Sequence, residues 1–176
     1  KLIAEIPMND LPRSNKVSNA GARHITDRDM YRYLEYLLQH DEQLFLASMF
    51  QMFLLIRPNR ELRLLKVQDL DLKKGIVYIN DINAKTVARV LTMPKALREI
   101  VEKYNLDQYP YDYYIFGKTG IPGPIPVGIN NFNYRFTLVK KELGFPVGYK
   151  FYSLKHTGAG KLLESGATLA ELMSHL

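Results

Sequence analysis

No cysteine occurs among the 176 residues, which excludes disulfides and thiolate-ligated zinc and is compatible with a reducing, cytoplasmic compartment. Long apolar runs are also missing. The stretch 49–56 falls far short of the roughly 20 residues that a membrane helix needs, and it reads as a buried helix instead. The N-terminus carries no secretory-signal pattern, and no internal repeat or low-complexity tract is present. Carboxylates are nowhere clustered at metal-ligand spacing, so no metal site is suggested. Acidic charge is the minority sign: 18 Asp and Glu against 24 Lys and Arg leave a net charge of +6 and a pI near 9.4. Such a surplus attracts polyanions by Coulomb steering and counterion release, which makes nucleic acid a natural partner. Charge alone decides little, because many basic proteins bind no nucleic acid.

What is there is ordinary for one soluble domain, with 47% hydrophobic and 24% charged residues. Residues 1–23 hold Pro7, Pro12, Ser14, Asn15, Ser18, Asn19 and Gly21 and read as a linker. A first helix begins at Thr26, whose hydroxyl can cap it, with Asp29 three residues on. Met30, Tyr33, Leu34, Leu37 and Leu38 then mark one apolar face. The segment from Leu44 to Ile56 is apolar nearly all round and reads as the central helix. Pro58 suits the first turn of a short helix carrying Glu61, Leu62 and Leu65. The runs 76–79 and 87–93, separated by the turn residues Asp81 to Asn83, read as an antiparallel hairpin with Lys85 at the start of the returning strand. Pro94 opens a further helix with Leu97, Ile100, Val101 and Tyr104 on its face. A Tyr-, Pro- and Gly-rich loop spans 109–128, with a short strand near Tyr114 to Phe116. Helices are expected over 130–143 and 153–163, closed by Gly144 and Gly166. Thr168 and Glu171 form a capping box for a last one. The sum is an α+β fold, mainly helical with a small antiparallel sheet.

Three features could carry chemistry. Arg57 directly follows the buried helix, where an arginine is costly unless it is paired or faces a cleft. A purely structural Arg57–Glu61 pair is the plainer explanation. Lys85 stands at a hairpin, where most lysines are merely solvated. In Tyr152-Ser153-Leu154-Lys155-His156-Thr157, Tyr152 and Lys155 are three apart and share a helical face, while His156 points elsewhere. Gly158, Ala159 and Gly160 permit close helix packing.

Taken in order, these features resemble the tyrosine recombinase, or phage integrase, family over nearly the whole chain from Thr26. Arg57, Glu61, Leu62, Leu65 and Lys66 resemble its first motif, Lys85 its hairpin lysine, and Tyr152, Lys155, His156 and Thr157 its His-x-x-Arg-His-Thr motif. The wording Tyr-Ser-Leu-Lys-His-Thr is similar to integrases of Bacteroides-type mobile elements. There are departures. Arg57 to Glu61 is one residue longer than the commonest pattern. Tyr152 and Lys155 replace His and Arg, and a lysine lacks arginine's planar fork.

The resemblance implies a site-specific recombinase that cuts and rejoins DNA through a 3′-phosphotyrosyl intermediate. Arg57 and Lys155 would stabilise charge on the phosphate, Lys85 would act as general acid, Tyr152 would donate a hydrogen bond, and Glu61 and His156 would support them. None of the twelve tyrosines stands in the nucleophile's place, and His175 precedes the family's Gly-His position. The resemblance therefore casts residues 24–176 as a catalytic domain that stops before its nucleophile and is inactive in cleavage alone. It casts residues 1–23 as a linker from an N-terminal DNA-binding domain. It also implies double-stranded DNA attachment sites as partners, self-association into tetramers on DNA, and no membrane, metal or cofactor. Rival readings are a DNA-binding protein that keeps the fold without cutting, a type IB topoisomerase, and a helical domain with no nucleic-acid role.

Overall fold

The computed structural model describes residues 22–80 and 87–166. Lys85, the capping box of Thr168 and Glu171, and His175 lie outside the described residues.

Helix α1 (Asp27–His40) starts as expected: the Thr26 side chain accepts from the Asp29 backbone N–H at 3.2 Å, satisfying one of the donors that a helix start leaves open. Met30, Tyr33 and Leu37 are buried on its inner face. Leu38, assigned to that face by the sequence, is instead 47% exposed, because eight residues on from Met30 the helix has rotated it to the edge of the stripe. Asp41 caps helix α2 (Glu42–Leu54) through the Leu44 N–H. Every residue from Gln43 to Gln51 is buried, as the all-round apolar pattern requires, and α5 is the helix it packs against most extensively.

The expected run to Ile56 ends early. Leu55 takes a left-handed conformation at φ 55° and closes α2, so Ile56 and Arg57 leave the helix in a new direction. Residues Pro58–Leu62 then form one wide π-type turn, in which the Leu62 N–H reaches Arg57 O at 2.9 Å and the Arg63 N–H reaches Pro58 O at 3.1 Å.

A three-stranded antiparallel sheet follows, in the order β1 (Leu70–Asp71), β2 (Ile76–Ile79), β3 (Arg89–Thr92). The hairpin β2–β3 pairs Val77 with Leu91 and Ile79 with Arg89. Strand β1, pairing Leu70 with Val77, has two residues and so no alternation that a sequence could display. Helix α3 (Lys95–Lys103) begins after Pro94. In the loop beyond it, Tyr114 bridges to both Lys66 and Gly123, the remnant of the expected short strand. Helices α4 (Asn131–Glu142) and α5 (Ser153–Glu164) complete the domain, with Gly144 and Gly166 at positive φ behind them, as expected of C-terminal glycines.

An aromatic chain fills the centre: Phe50 meets Phe116 edge-on at 5.8 Å, Phe116 meets Phe132 at 5.4 Å, and Phe132 stacks on Phe151 at 5.3 Å. Replacing one such ring by alanine costs about 3–5 kcal/mol, so this chain fixes α5 against α2 and α4. Arg135 on α4 adds a polar clamp, donating to Asp41, to Gln43 at 2.7 Å and to Asn131 at 3.0 Å. The segment before α1 is tied to α5, with the Ile25 N–H donating to Thr157 Oγ1 at 2.9 Å.

Candidate functional site

Arg57 stands at the mouth of the π-type turn, and Glu61 lies within it. The Arg57 backbone N–H donates to Glu61 Oε2 at 2.8 Å, and its Nη1 donates to Oε1 at 2.9 Å. In an ordinary helix start, the glutamate that reaches back to the capping residue's N–H stands three residues on. Here it stands four residues on, and the wider π-type turn absorbs the additional residue. The long Arg57–Glu61 spacing is thus accommodated by the backbone, and the pair forms.

Glu61 is 1% exposed and has a second arginine. Arg89 on β3 donates from Nη1 to Oε1 at 3.2 Å and from Nη2 to Oε2 at 3.0 Å. Burial works against ionisation of Glu61, but the hydrogen bonds from Arg89 and Arg57 outweigh it and hold the carboxyl below its usual value. Arg89 was not among the residues singled out from the sequence. A signal was present: strands alternate faces, and Arg89 lies two residues from Leu91, which is 1% exposed. An arginine in phase with a core residue calls for a buried partner.

Lys155, on the first turn of α5, is 4% exposed. Desolvation, then the positive charge of Arg57, with a smaller effect from Arg89, bring its ammonium down to about 8, while Glu61 pulls the other way. Its Nζ lies 6.0 Å from the centre of the Tyr152 ring, within reach of a cation–π attraction. Tyr152 also meets His156 edge-on at 5.1 Å, and His156 faces His24 at 6.3 Å. Burial first, then His24 and Lys155, push the His156 imidazole down. The fold therefore gathers Arg57, Glu61, Lys155 and Tyr152, and His156, expected to point elsewhere, instead packs against Tyr152, because residues four apart on a helix share a face.

Two backbone features set the spacing of these groups. Leu55 turns the chain toward Arg57 through its left-handed conformation, which is uncommon for a residue with a Cβ. Gly158 on α5 lies so close to α2 that a Cβ there would collide with the Met52 carbonyl oxygen. Lys155, three residues earlier on the same helix, is thereby held against the end of α2.

Among the described residues, Arg57, Arg89 and Lys155 set three cations against one carboxylate, an excess of two positive charges when Lys155 is protonated. The Arg57 side chain is 26% exposed and that of Glu61 is 0% exposed, so the positive side of the cluster reaches solvent and the negative side does not. Such an arrangement favours an anion. Among the described residues, no group of three or more His, Asp or Glu could hold a metal ion, and no helix is long and apolar enough to cross a membrane.

No protein-family model and no curated protein matches the chain. Solved structures do. The Tn1549 transposon integrase in complex with transposon right end DNA superposes with a TM-score of 0.75 at 15% identity, over 97% of this chain and 61% of that one. XerA recombinase gives 0.72 at 17% identity, over 89% and 56%. A lambda integrase tetramer bound to a Holliday junction gives 0.63 at 18% identity, over 87% and 46%. The chain thus spans between 46% and 61% of these proteins' lengths. Its fold is the mainly helical tyrosine-recombinase catalytic fold with its small antiparallel sheet.

Proposed function

We propose that residues 24–176 are the catalytic domain of a site-specific DNA recombinase, an integrase of a Bacteroides-type mobile element acting in the cytoplasm. The observation that carries this reading is the cluster of Arg57, Arg89 and Lys155 around buried Glu61 within a fold shared with integrases. The partner is double-stranded DNA at attachment sites, with protomers associating on it as tetramers.

The chemistry follows from the charges. A tyrosine hydroxyl attacks a DNA phosphodiester, a 3′-phosphotyrosyl bond forms, and the 5′-oxygen leaves with a proton. A 5′-hydroxyl of a partner strand then attacks that bond and releases the tyrosine, so no external energy source is needed. Negative charge grows on the non-bridging oxygens, and fixed cations aimed at them supply the stabilisation. Arg57 and Lys155 take that role, with Tyr152 donating a hydrogen bond beside Lys155. Lys85 is assigned as the acid that protonates the leaving 5′-oxygen. Glu61 orients Arg57, and His156 backs Tyr152. None of the twelve tyrosines is assigned as the nucleophile, so these residues alone are expected not to cleave.

The test uses the complete product of the reading frame that encodes this chain, incubated with nicked duplex DNA bearing its attachment site. A covalent protein–DNA adduct that disappears when one tyrosine outside these residues becomes phenylalanine is the expected result. Salt-dependent duplex binding without any adduct would instead favour a DNA-binding protein that keeps the fold and does not cut. The lysine at position 155, which lacks the arginine fork, lends that second reading its weight.

A further inference from the structure

We infer that Arg89 is a positioning residue of this site: by gripping both oxygens of Glu61 it fixes the Arg57 guanidinium and sets the field around Lys155. The inference rests on the reading of the cluster as a phosphate site.

The geometry separates Arg89 from the residues that would touch DNA. Both of its terminal nitrogens are spent on Glu61, and its side chain is 14% exposed, against 26% for Arg57. Its Nε is buried and without a partner among the described residues. A buried, unpaired N–H is costly, so this arginine is held at some expense to stability and faces a carboxylate rather than solvent. The bidentate fork determines the plane of the Glu61 carboxylate. The plane in turn decides where the other two donors to Glu61, the Arg57 N–H and Nη1, come to rest. Arg89 therefore acts on Arg57 through one intermediary, the Glu61 carboxylate.

Charge makes the same point. With Arg57 as its only cationic partner, Glu61 would be nearly neutralised within the pair, and Lys155 would sit beside a neutral unit. Arg89 turns the pair into a cationic triad. The carboxylate is then shared by two arginines and is less able to hold the Lys155 proton. Position 155 carries a lysine, a point charge without a fork, so the orientation of Arg57 matters more here than where two arginines face the phosphate.

The test compares wild type with Arg89→Gln and Arg89→Lys. The first readout is the pH midpoint of the Lys155 ammonium, followed by NMR on lysine-labelled chain and assigned with Lys155→Arg. The second is binding of a short duplex by wild type, Arg57→Ala, Arg89→Gln and the double variant. The Lys155 midpoint is expected to rise in Arg89→Gln and by less in Arg89→Lys, which keeps the cation. Loss of Arg89 should weaken duplex binding roughly tenfold when Arg57 is present, and much less once Arg57 is alanine, because groups acting in series do not add. An unmoved midpoint, or affinity losses that add in full, would overturn the inference. Should Arg89→Gln fail to fold, Arg89→Lys carries the same comparisons. A wild-type chain that binds no duplex would remove the phosphate reading, and the Lys155 midpoint alone would then decide the role of Arg89.

Discussion

Arg89 and Glu61 form a two-pronged pair, Nη1 to Oε1 at 3.2 Å and Nη2 to Oε2 at 3.0 Å, across 28 residues of sequence and between a strand and a turn. Glu61 is thus the hub that joins the sheet to the end of α2. Among the described residues, removing it leaves Arg57 and Arg89 with no counter-ion.

Glu61→Ala is therefore expected to destabilise the fold by about 3–5 kcal/mol, the range for breaking a buried pair from one side, read as a shift in urea midpoint with an unchanged slope. The pH dependence has a definite sign. The Glu61 carboxyl is held below its usual value, so its contribution is complete above that usual value. It is lost as pH falls through the lowered one. Glu61→Gln should lower stability at neutral pH and flatten the acid limb of the stability profile relative to wild type.

Lys155 gives the opposite window. Its ammonium is brought down to about 8, below the value in an unfolded chain. Between those two values the unfolded state binds more protons, so this residue makes stability rise with pH across the window. Anion binding runs the other way, because the neutral amine attracts no phosphate. Affinity for a short duplex is expected to fall as pH climbs through about 8, and Lys155→Arg should abolish that fall because arginine stays charged. Fluorescence anisotropy across neutral to alkaline pH at constant ionic strength reads both. A wild-type affinity that ignores pH would remove Lys155 from the anion contact.

How much of this was legible in the sequence differs by element. Helices α1 to α5 and the β2–β3 hairpin follow from apolar periodicity and caps, both local properties. The Arg57–Glu61 pair was visible as a spacing, although the π-type turn that accommodates it was not. A single widened turn changes one hydrogen-bond step and leaves no compositional trace. Strand β1 was too short to show a pattern. Arg89 escaped because its partner lies 28 positions away and only the strand register brings them together. The close approach of Gly158 to Met52 is likewise tertiary: small residues at 158–160 announce that some helix can come near, not which one.

Arg57 offers a test of what the cluster contacts. Its side chain is a quarter exposed, against 14% for Arg89 and 0% for Glu61. If it meets a phosphate, Arg57→Ala should weaken duplex binding for all sequences alike and reduce the slope of log affinity against log salt by about one. On the proposed recombinase reading, loss of this cation in the complete gene product should slow cleavage by the equivalent of roughly 3 kcal/mol, as for loss of one oxyanion donor. Cleavage at the wild-type rate would take Arg57 out of the reaction.

The packing of α5 on α2 connects stability with the site. At Gly158 a methyl group would meet the Met52 carbonyl and lie 3.0 Å from Leu55 Cδ2. The carbonyl is backbone at the end of a buried helix, and Leu55 is 1% exposed, so neither can yield cheaply. Gly158→Ala should cost about 1–3 kcal/mol through overpacking and should push the first turn of α5 outward, carrying Lys155 away from Arg57. Gly160→Ala is the control. There, among the described residues, the methyl group would meet only the His24 ring, at 3.2 Å, and a side chain on an exposed residue can move aside. Thermal unfolding should separate the two variants clearly. Gly158→Ala should in addition raise the Lys155 midpoint from about 8, because distance from Arg57 and access to water both favour the charged amine. A Gly158→Ala chain with lowered stability and an unmoved Lys155 would mean that α5 yields elsewhere and that this contact does not set the spacing of the site.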